Sequence, residues 1–355
     1  MNEALFFALL RKALWDSDET LPRSIAAEEV EDIIGAAQKS AVAGLIANAI
    51  IDNNINVGPD WPTKLTAISV LLKITNQKID KGVAELVKLM NGCGEEYIIV
   101  KGQTLAPLYR LRQARTPGDT DFVVKDYLKA TKTLREEWGI KLPKKIFDKE
   151  VSFTYNENIY ELHTRLVSFG RKKHRQHWER FIAASPKATI EVDGTEVATL
   201  APTQYALYVF VHLFFHFIDE GIGMRHLCDW AVVLQKWEKE IDHRMLHETL
   251  RALEMEKAFC AFGSIIVSKL GVTAFPWEIT DEDRREGEII LNDILSIGNF
   301  GTSKRETKSG KWRYKLETTR LLLKNCVKYY RLAPSEIALI IPRLVRYNLR
   351  IIIGC

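Results

Sequence analysis

Apolar positions recur at helical spacing along the first quarter of the chain. The pattern is continuous over 3–15, 36–52 and 62–91, and its period of three to four residues is that of an amphipathic helix. The GPDWP stretch at 58–62 interrupts the pattern before the last run, because glycine and proline favour turns. The sequence therefore predicts a helical region over 1–92.

The next hundred residues show the two-residue period of β-strands in short runs. Strands are predicted over 97–100, 121–124, 151–155 and 159–163, with helices at about 103–112 and 126–138 between them. Asn156-Glu157-Asn158 supplies turn residues between the last two strands, and Asp193-Gly194 marks a second hairpin over 188–199. Strands that alternate with helices and end in hairpins predict a small mixed sheet over 93–200.

From Pro202 onward the chain returns to helical periodicity. Helices are predicted over 202–218, 224–238, 243–270, 282–297, 312–330 and 334–353. The polar, basic stretch 301–313 has no period and predicts a surface loop. The predicted fold class is therefore α+β, in which a small mixed sheet lies between the helical region 1–92 and a helical domain over 201–355.

Composition and charge narrow the class of protein. With 46% hydrophobic and 27% charged residues, the chain can bury large cores, which excludes disordered and fibrous proteins. A net charge of +4 permits a phosphate-bearing partner but lacks the strong basic stripe of a dedicated nucleic-acid binder. Five scattered cysteines favour reduced thiols in a cytoplasm. No stretch approaches the roughly 20 apolar residues of a membrane span, so a soluble cytoplasmic protein is expected.

Carboxylates with strand spacing are the most informative chemistry in the chain. Asp119 and Asp121 follow Gly118 at the start of a predicted strand, where residues i and i+2 point to the same face. Glu161 lies on a later strand and shares its face with His163. Such acids are costly unless they are solvated or bound to cations, and they are well placed to share divalent metal ions.

A strand that ends at Val100 leads directly into Lys101-Gly102 and a predicted helix. Glycine lets the backbone approach a phosphate closely, and the N–H groups of a helix N-terminus favour an anion. Arg115 lies shortly before the paired acids. Together these residues indicate a site for a phosphate group beside the carboxylates.

The combined pattern resembles the motif of a poorly characterised bacterial nucleotidyltransferase-like family of the DNA polymerase β superfamily, and the similar motif of abortive-infection toxin nucleotidyltransferases. The matching positions are Lys101-Gly102, Leu105, Tyr109, Arg115, Gly118-Asp119-Thr120-Asp121-Phe122, Glu161-Leu162-His163 and Arg225-His226-Leu227-Cys228-Asp229-Trp230-Ala231. The resemblance covers about 95–240. Gln103 stands where the superfamily usually has a serine that contacts phosphate, so the way in which a triphosphate is held stays open.

The resemblance implies a sheet of the polymerase β type and transfer of a nucleoside monophosphate from an NTP to an acceptor hydroxyl, with Mg²⁺ or Mn²⁺. Asp119, Asp121 and Glu161 are the implied catalytic residues and metal ligands, and Glu161 either completes one metal site or helps to deprotonate the acceptor. The implied nucleotide-binding residues are Lys101, Gly102, Gln103, Arg115, Gly118, His163, His216, Arg225 and Asp229. The acceptor is left open among a protein hydroxyl, a small molecule and an RNA end.

Two expectations concern single positions of this site. Asp121 belongs to a cluster of like charges, so its removal is expected to leave the fold stable or slightly more stable when no metal is bound. His216, Arg225 and Asp229 are expected to face the carboxylates, because these polar groups are costly on apolar helices unless they are paired.

Two other functions remain open at this point. A catalytically silent protein of the same fold could bind a protein partner through its C-terminal helices, and the amphipathic run 338–353, with arginines along one side, suits such a partner or a membrane surface. A metallophosphohydrolase could use His212, His216 and Asp229, but the sequence supplies no further His-Asp pairs.

Overall fold

The computed structural model describes residues 1–143, 150–298 and 311–342. The chain forms two compact units. Unit 1 comprises Met1–Val167 and Pro186–Tyr205, and unit 2 comprises Ser168–Ser185 and Ala206–Cys355. The fold class is α+β, as the hydrophobic pattern predicted. The division of the sequence at residues 92 and 200 stays a prediction.

Unit 1 begins with four helices. They are α1 (Glu3–Trp15), α2 (Ala27–Lys39), α3 (Ala43–Asp52) and α4 (Trp61–Gly92). The continuous helix predicted over 36–52 is wrong, because Ala41 adopts a left-handed conformation with φ 56° and separates α2 from α3. Neither glycine nor proline marks this break, so the hydrophobic pattern did not predict it.

A four-stranded mixed sheet follows α4. Its strands are β1 (Tyr97–Val100), β2 (Thr120–Val124), β3 (Glu150–Tyr155) and β4 (Asn158–His163), and α5 (Tyr127–Trp138) lies between β2 and β3 in the chain. The strand order is β1-β2-β4-β3. The β2–β4 pair is parallel, whereas β1–β2 and β3–β4 are antiparallel. The mixed sheet is therefore as predicted.

The two faces of this sheet differ in chemistry. Phe122, Tyr160 and Leu162 join the apolar core that α4 and α5 build on one face. Since successive strand residues point to opposite faces, Asp121 and Glu161 lie on the other face, which we call the acid face. A second hairpin, β5 (Ala188–Val192) and β6 (Thr195–Thr199), completes unit 1.

The segment between β1 and β2 differs from the prediction. Instead of an α-helix over 103–112, it contains three short 3-10 turns, Gly102–Thr104, Ala106–Leu108 and Arg112–Ala114. Thr104 and Leu105 donate their N–H groups three residues back, to the carbonyls of Lys101 and Gly102, and Pro107 has no N–H to extend a helix. The argument from an α-helix dipole therefore does not apply here.

Unit 2 is helical in its described residues. Its helices are α6 (Lys172–Ala183), α7 (Pro202–Asp219), which begins in unit 1, α8 (Met224–Lys236), α9 (His243–Ala252), α10 (Glu256–Ser268), α11 (Asp281–Ile297) and α12 (Lys311–Lys328). The single helix predicted over 243–270 is wrong, because Glu254 has φ 57° and separates α9 from α10.

The last predicted elements, the loop 301–313 and the helix 334–353, lie only partly within the described residues. Within the predicted loop 301–313, residues 301–310 fall outside the described residues, and 311–313 belong to α12. Helical residues continue over 334–342, while most of the amphipathic run 338–353 falls outside the described residues. No helix in the described ranges is both long and apolar enough to cross a membrane.

Two glycines in helices of unit 1, one closely packed and one with open space around it, allow a matched test of the helix packing. A Cβ at Gly44 would lie 2.3 Å from the carbonyl oxygen of Ala114, whereas a Cβ at Gly35 would meet nothing within 4 Å. We expect Gly44→Ala to lower the free energy of unfolding by about 1–3 kcal/mol, because backbone must move. We expect Gly35→Ala to raise it by up to about 1 kcal/mol through helix propensity. Denaturant unfolding of both variants measures the difference, and equal stabilisation by both would contradict the close contact.

Candidate active site

Strand register brings the acids together. Asp121 of β2 lies opposite Glu161 of β4 in the parallel pair, and Glu161 lies opposite Ser152 of β3. The next position on the same face pairs His163 of β4 with Glu150 of β3. The acid face therefore presents three neighbouring strands, each of which contributes side chains that can bind a cation.

Asp121 is the buried centre of this face, with only 1% of its surface exposed. Its Oδ1 lies 2.9 Å from the Nζ of Lys101 and 2.8 Å from the Nε2 of His163. One carboxylate oxygen therefore contacts two nitrogen groups. Both groups belong to residues that the sequence indicated as candidates for the site.

Glu161 and His163 extend the site toward β3. The Nε2 of His163 lies 3.6 Å from the Oε2 of Glu161, and its Nδ1 lies 3.2 Å from the Oε2 of Glu150. The hydroxyl of Ser152 donates to the Oε1 of Glu161 over 3.3 Å. Among the described residues, the ligand atoms of Asp121, Glu161 and His163 form one set within 4.8 Å of one another.

Asp119 lies in the extended segment immediately before β2, not inside the strand. Burial, followed by the negative charges of Asp121 and Glu161, raises the pKa of Asp119 to about 6, although Lys101 opposes this shift. Gly102 contacts the backbone of this segment. It has φ 46°, and a Cβ there would lie 3.0 Å from the carbonyl oxygen of Asp119, so glycine suits both the conformation and the close approach.

The other titratable groups are shifted by the same neighbours. Burial alone would raise the pKa of Asp121, but the Lys101 ammonium and His163 outweigh burial and hold it below its ordinary value. The hydrogen bond from His163 lowers the pKa of Glu161 against burial and the charge of Asp121. Burial opposes the charged form of His163, yet its contacts with Asp121 and Glu161 raise its pKa.

These directions bear on one expectation. Removal of Asp121 is expected from the sequence to relieve like-charge repulsion, whereas its lowered pKa predicts that its charge is favourable in the folded protein. The contacts of Lys101 and His163 with the same oxygen of Asp121 explain the difference. The pKa of Asp119 is raised, first by burial and then by the charge of Asp121.

Lys101 is held in a backbone conformation that residues other than glycine rarely adopt, with φ 58° and ψ −155°. Its N–H donates to the hydroxyl of Tyr205 over 2.7 Å, and its carbonyl accepts from the hydroxyl of Thr104 over 2.8 Å. The two hydroxyl oxygens are 2.6 Å apart. Since each hydroxyl has one proton to donate and Thr104 gives its proton to the carbonyl, Tyr205 donates to Thr104. We call this closed set of three hydrogen bonds the Lys101 ring.

The remaining predicted phosphate contacts of unit 1 are placed as follows. Gln103 is buried, and its amide donates to Asp80 Oδ1 over 2.5 Å and to the carbonyl of Asn76 over 3.4 Å. Arg115 is buried as well, and its carbonyl accepts a hydrogen bond from Asn76 over 3.1 Å. Gly118 is exposed in the segment before β2. Gln103 therefore links the Lys101 turn to α4.

The predicted residues of unit 2 lie on α7 and α8. His216 approaches Glu220, with 3.1 Å between Nδ1 and Oε1, and its ring centroid is 4.2 Å from that of His212. Asp229 is buried and Arg225 is partly buried on α8. Within the described residues these groups form no second set of three metal ligands of the kind found on the acid face. That a nucleotide contacts His216, Arg225 or Asp229 stays a prediction.

Sequence reasoning missed Glu150, Tyr205 and Thr104. The hairpin turn offered a signal for Glu150, because pairing Tyr155 with Asn158 and counting back puts Glu150 opposite His163. No comparable signal exists for Tyr205, which lies 104 positions from Lys101 in the chain. Thr104 lies inside the segment that was expected to be α-helical.

The donor set of the acid face fits a divalent cation. Carboxylate oxygens are the preferred ligands of Mg²⁺ and Mn²⁺, and imidazole is a ligand for transition metals. Asp121, Glu161 and His163 already lie at mutual distances that one ion can bridge.

The opposite pKa shifts of the two aspartates predict opposite effects on stability. The folded pKa of Asp119 is about 6 and its ordinary value is 3.8, so the metal-free fold loses stability as the pH rises through this range, by at most about 3 kcal/mol. We expect Asp119→Asn to melt above the wild type at pH 8 in a chelator and to match it near pH 4.

Asp121→Asn is expected to melt below the wild type at pH 8. A group with a lowered pKa contributes stability above its unfolded pKa, and this stability is lost only as the pH falls below that value. Asp18→Asn, at an exposed position of unit 1, serves as the control and should change neither curve. Thermal unfolding at both pH values measures all three variants, and the same sign of change at Asp119 and Asp121 would contradict this electrostatic account.

Comparison with known proteins identifies the family of the chain. The family described as uncharacterised nucleotidyltransferase matches residues 26–269. No curated protein matches the chain. The chain is similar over 55% of its length to the crystal structure of an antigenic nucleotidyltransferase-like protein from Paracoccidioides brasiliensis, with 93% of that chain covered, 12% identity and a TM-score of 0.31. The family match spans well over half of the sequence, and the chain belongs to this family of uncharacterised nucleotidyltransferases.

Proposed function

We propose that the protein transfers a nucleoside monophosphate from an NTP to an acceptor hydroxyl, with divalent cations bound at the acid face. The observation that carries this proposal is the pairing of Asp121 with Glu161 on one sheet face, with Lys101 2.9 Å from Asp121. Membership of a nucleotidyltransferase family supports it. The acceptor is a protein hydroxyl, a small molecule or an RNA end.

In this proposal Asp119, Asp121 and Glu161 hold the cations. When bound, divalent cations neutralise phosphate charge and stabilise the attacking and leaving oxygens of an in-line displacement. The acceptor oxygen forms a bond to the α-phosphorus as the bond to pyrophosphate breaks. Glu161 either completes one cation site or accepts the proton of the acceptor hydroxyl. Its partial exposure and its place beside Asp121 suit both roles.

Lys101 and the turn after it bind the phosphates of the NTP. The Lys101 ammonium lies 2.9 Å from the Asp121 oxygen, and it would neutralise a phosphate oxygen if Asp121 held a cation instead. Gly102 keeps the turn free of a side chain where the phosphates approach. Arg115 supplies a second positive charge close to Asp119 in the chain, and Gly118 leaves room beside it.

We also propose that His216, Arg225 and Asp229 bind the nucleotide. They lie on α7 and α8, where Asp229 is buried and His216 and Arg225 are partly buried. The motif that the sequence resembles supports this role, because Arg225 and Asp229 match its Arg-x-x-x-Asp spacing.

The direct test is incubation of the purified protein with each α-labelled NTP and Mg²⁺ or Mn²⁺. We expect pyrophosphate release, and label on the protein itself if a protein hydroxyl is the acceptor. Asp119→Asn and Asp121→Asn should lower pyrophosphate release by about 100-fold or more, because each removes a charge that stabilises the transferring phosphate.

Asp18→Asn is the control for this assay as well, because it removes an exposed carboxylate of unit 1. It should leave pyrophosphate release unchanged. Full activity in both active-site variants would remove the acids from the mechanism. Absence of turnover with every NTP, together with absence of cation binding, would favour a silent protein that keeps the fold for interaction.

Tyr205→Phe tests whether the Lys101 ring positions the site. The substitution removes one hydroxyl, and with it an acceptor for the Lys101 N–H and a donor to Thr104. The backbone of Lys101 can then relax from its strained conformation. We expect kcat for pyrophosphate release to fall about 10-fold, which equals about 1.4 kcal/mol of barrier, with a smaller effect on thermal stability.

Tyr160→Phe is the matched control, because Tyr160 is equally buried but lies on the α4 and α5 face of the sheet. It should leave kcat close to that of the wild type. If the two variants lose kcat and melting temperature to the same extent, Tyr205 acts on general stability and not on Lys101.

A further inference from the structure

We propose that His163 is a ligand of the bound cation, oriented by Glu150, and that it makes the site select Mn²⁺ over Mg²⁺. This inference rests on the proposed function, because it takes Asp121 and Glu161 as cation ligands. It assigns a metal preference to the site and a role to two residues of neighbouring strands.

The ligand atoms are already spaced as around a single ion. The Nε2 of His163 lies 2.8 Å from Asp121 Oδ1 and 3.6 Å from Glu161 Oε2, and all three atoms lie within 4.8 Å of one another. An ion about 2.0–2.3 Å from each ligand atom would separate adjacent ligand atoms by about 3 Å. Small side-chain adjustments therefore suffice for all three residues to contact one ion.

The second nitrogen of His163 faces a carboxylate, as in many metal sites. Its Nδ1 lies 3.2 Å from Glu150 Oε2, and the β3–β4 register puts the two residues directly opposite each other. A metal-binding histidine usually directs its other ring nitrogen to such a carboxylate, which fixes the tautomer and the ring orientation. The two atoms have the distance but not the angle of a hydrogen bond, so a small rotation of either side chain would form it, and Glu150 would then direct Nε2 toward Asp121 and Glu161.

An imidazole ligand changes which ion the site prefers. Mg²⁺ takes oxygen ligands in strict octahedral geometry and retains its waters, whereas imidazole suits transition metals. His163 is 4% exposed and in contact with three carboxylates, so it cannot leave the site for solvent without breaking these contacts. Mg²⁺ would have to bind beside an imidazole that it cannot use, while Mn²⁺ can accept both the nitrogen and the two oxygens.

The test uses the full-length, metal-free protein and Mn²⁺ alone as the probe. Titration followed by electron paramagnetic resonance gives the Mn²⁺ affinity, competition with Mg²⁺ gives the selectivity, and pulsed resonance detects nitrogen bound to Mn²⁺. We expect a nitrogen coupling from one histidine and a preference for Mn²⁺ of at least 10-fold.

Three variants separate a ligand from a structural residue. His163→Gln should remove the nitrogen coupling and lower the Mn²⁺ affinity about 10-fold or more, while the Mg²⁺ affinity changes little. Glu150→Gln should keep the coupling but weaken Mn²⁺ binding by about 10–100-fold, as loss of an orienting partner does. His243→Gln, at an exposed histidine of α9, is the matched control and should change nothing.

The outcomes distinguish this inference from the proposed function. Mn²⁺ bound without nitrogen coupling, or equal losses of Mn²⁺ and Mg²⁺ affinity in His163→Gln, would overturn the role of His163 and leave the carboxylate site standing. Failure of both ions to bind the wild type would overturn the proposed function too. If His163→Gln does not fold, Glu150→Gln decides, since an unchanged Mn²⁺ affinity there contradicts the proposal.

Discussion

The parallel pairing of β2 with β4 is the constraint on which the site depends. It sets Asp121 beside Glu161 and, on the opposite face, Phe122 beside Leu162 in the apolar core. A slip of one residue would turn the acids into that core and expose the apolar residues. The hydrophobic effect on the α4 and α5 face therefore also fixes the spacing of the acids, although the acids themselves repel one another.

Two nitrogen groups of the chain stabilise the buried carboxylate of the acid face. Lys101 and His163 both contact the buried Oδ1 of Asp121, and without them a buried carboxylate would be very unfavourable. Asp119 receives less compensation, which is why its pKa is raised. The raised pKa of Asp119 and the strained backbone of Lys101 both lower the stability of the fold. This combination is typical of a functional site, where strain and shifted pKa values cluster.

The sequence predicted much of this site because its carboxylates lie on short strands with clear alternation. Spacing paired Asp119 with Asp121 on one face and Glu161 with His163 on one face. The register of β2 and β4 brings the ligand atoms of Asp121, Glu161 and His163 together. The contacts of Asp121 with Lys101 and His163 were not predicted, because the spacing between acids does not show which nitrogen groups reach them. The same reasoning could have predicted Glu150 as a site residue, because the turn after Tyr155 determines which residue of β3 lies opposite His163. The α-helix expected after Gly102 does not form, because Pro107 and the hydrogen bonds to the carbonyls of Lys101 and Gly102 favour 3-10 turns.

By itself, the sequence determined the α+β class, most helices and strands, and the candidate residues of the site, because periodicity and turn residues are local properties of the chain. Only the tertiary structure decided how these residues act on one another. The left-handed residues Ala41 and Glu254 break helices without any glycine or proline, since the packing of the segments on either side outweighs local preference. The Lys101 ring joins residues 104 positions apart, and the pKa shifts of Asp119 and Asp121 depend on burial and on charges from other strands. Such effects arise from distances in space, which a linear pattern does not contain.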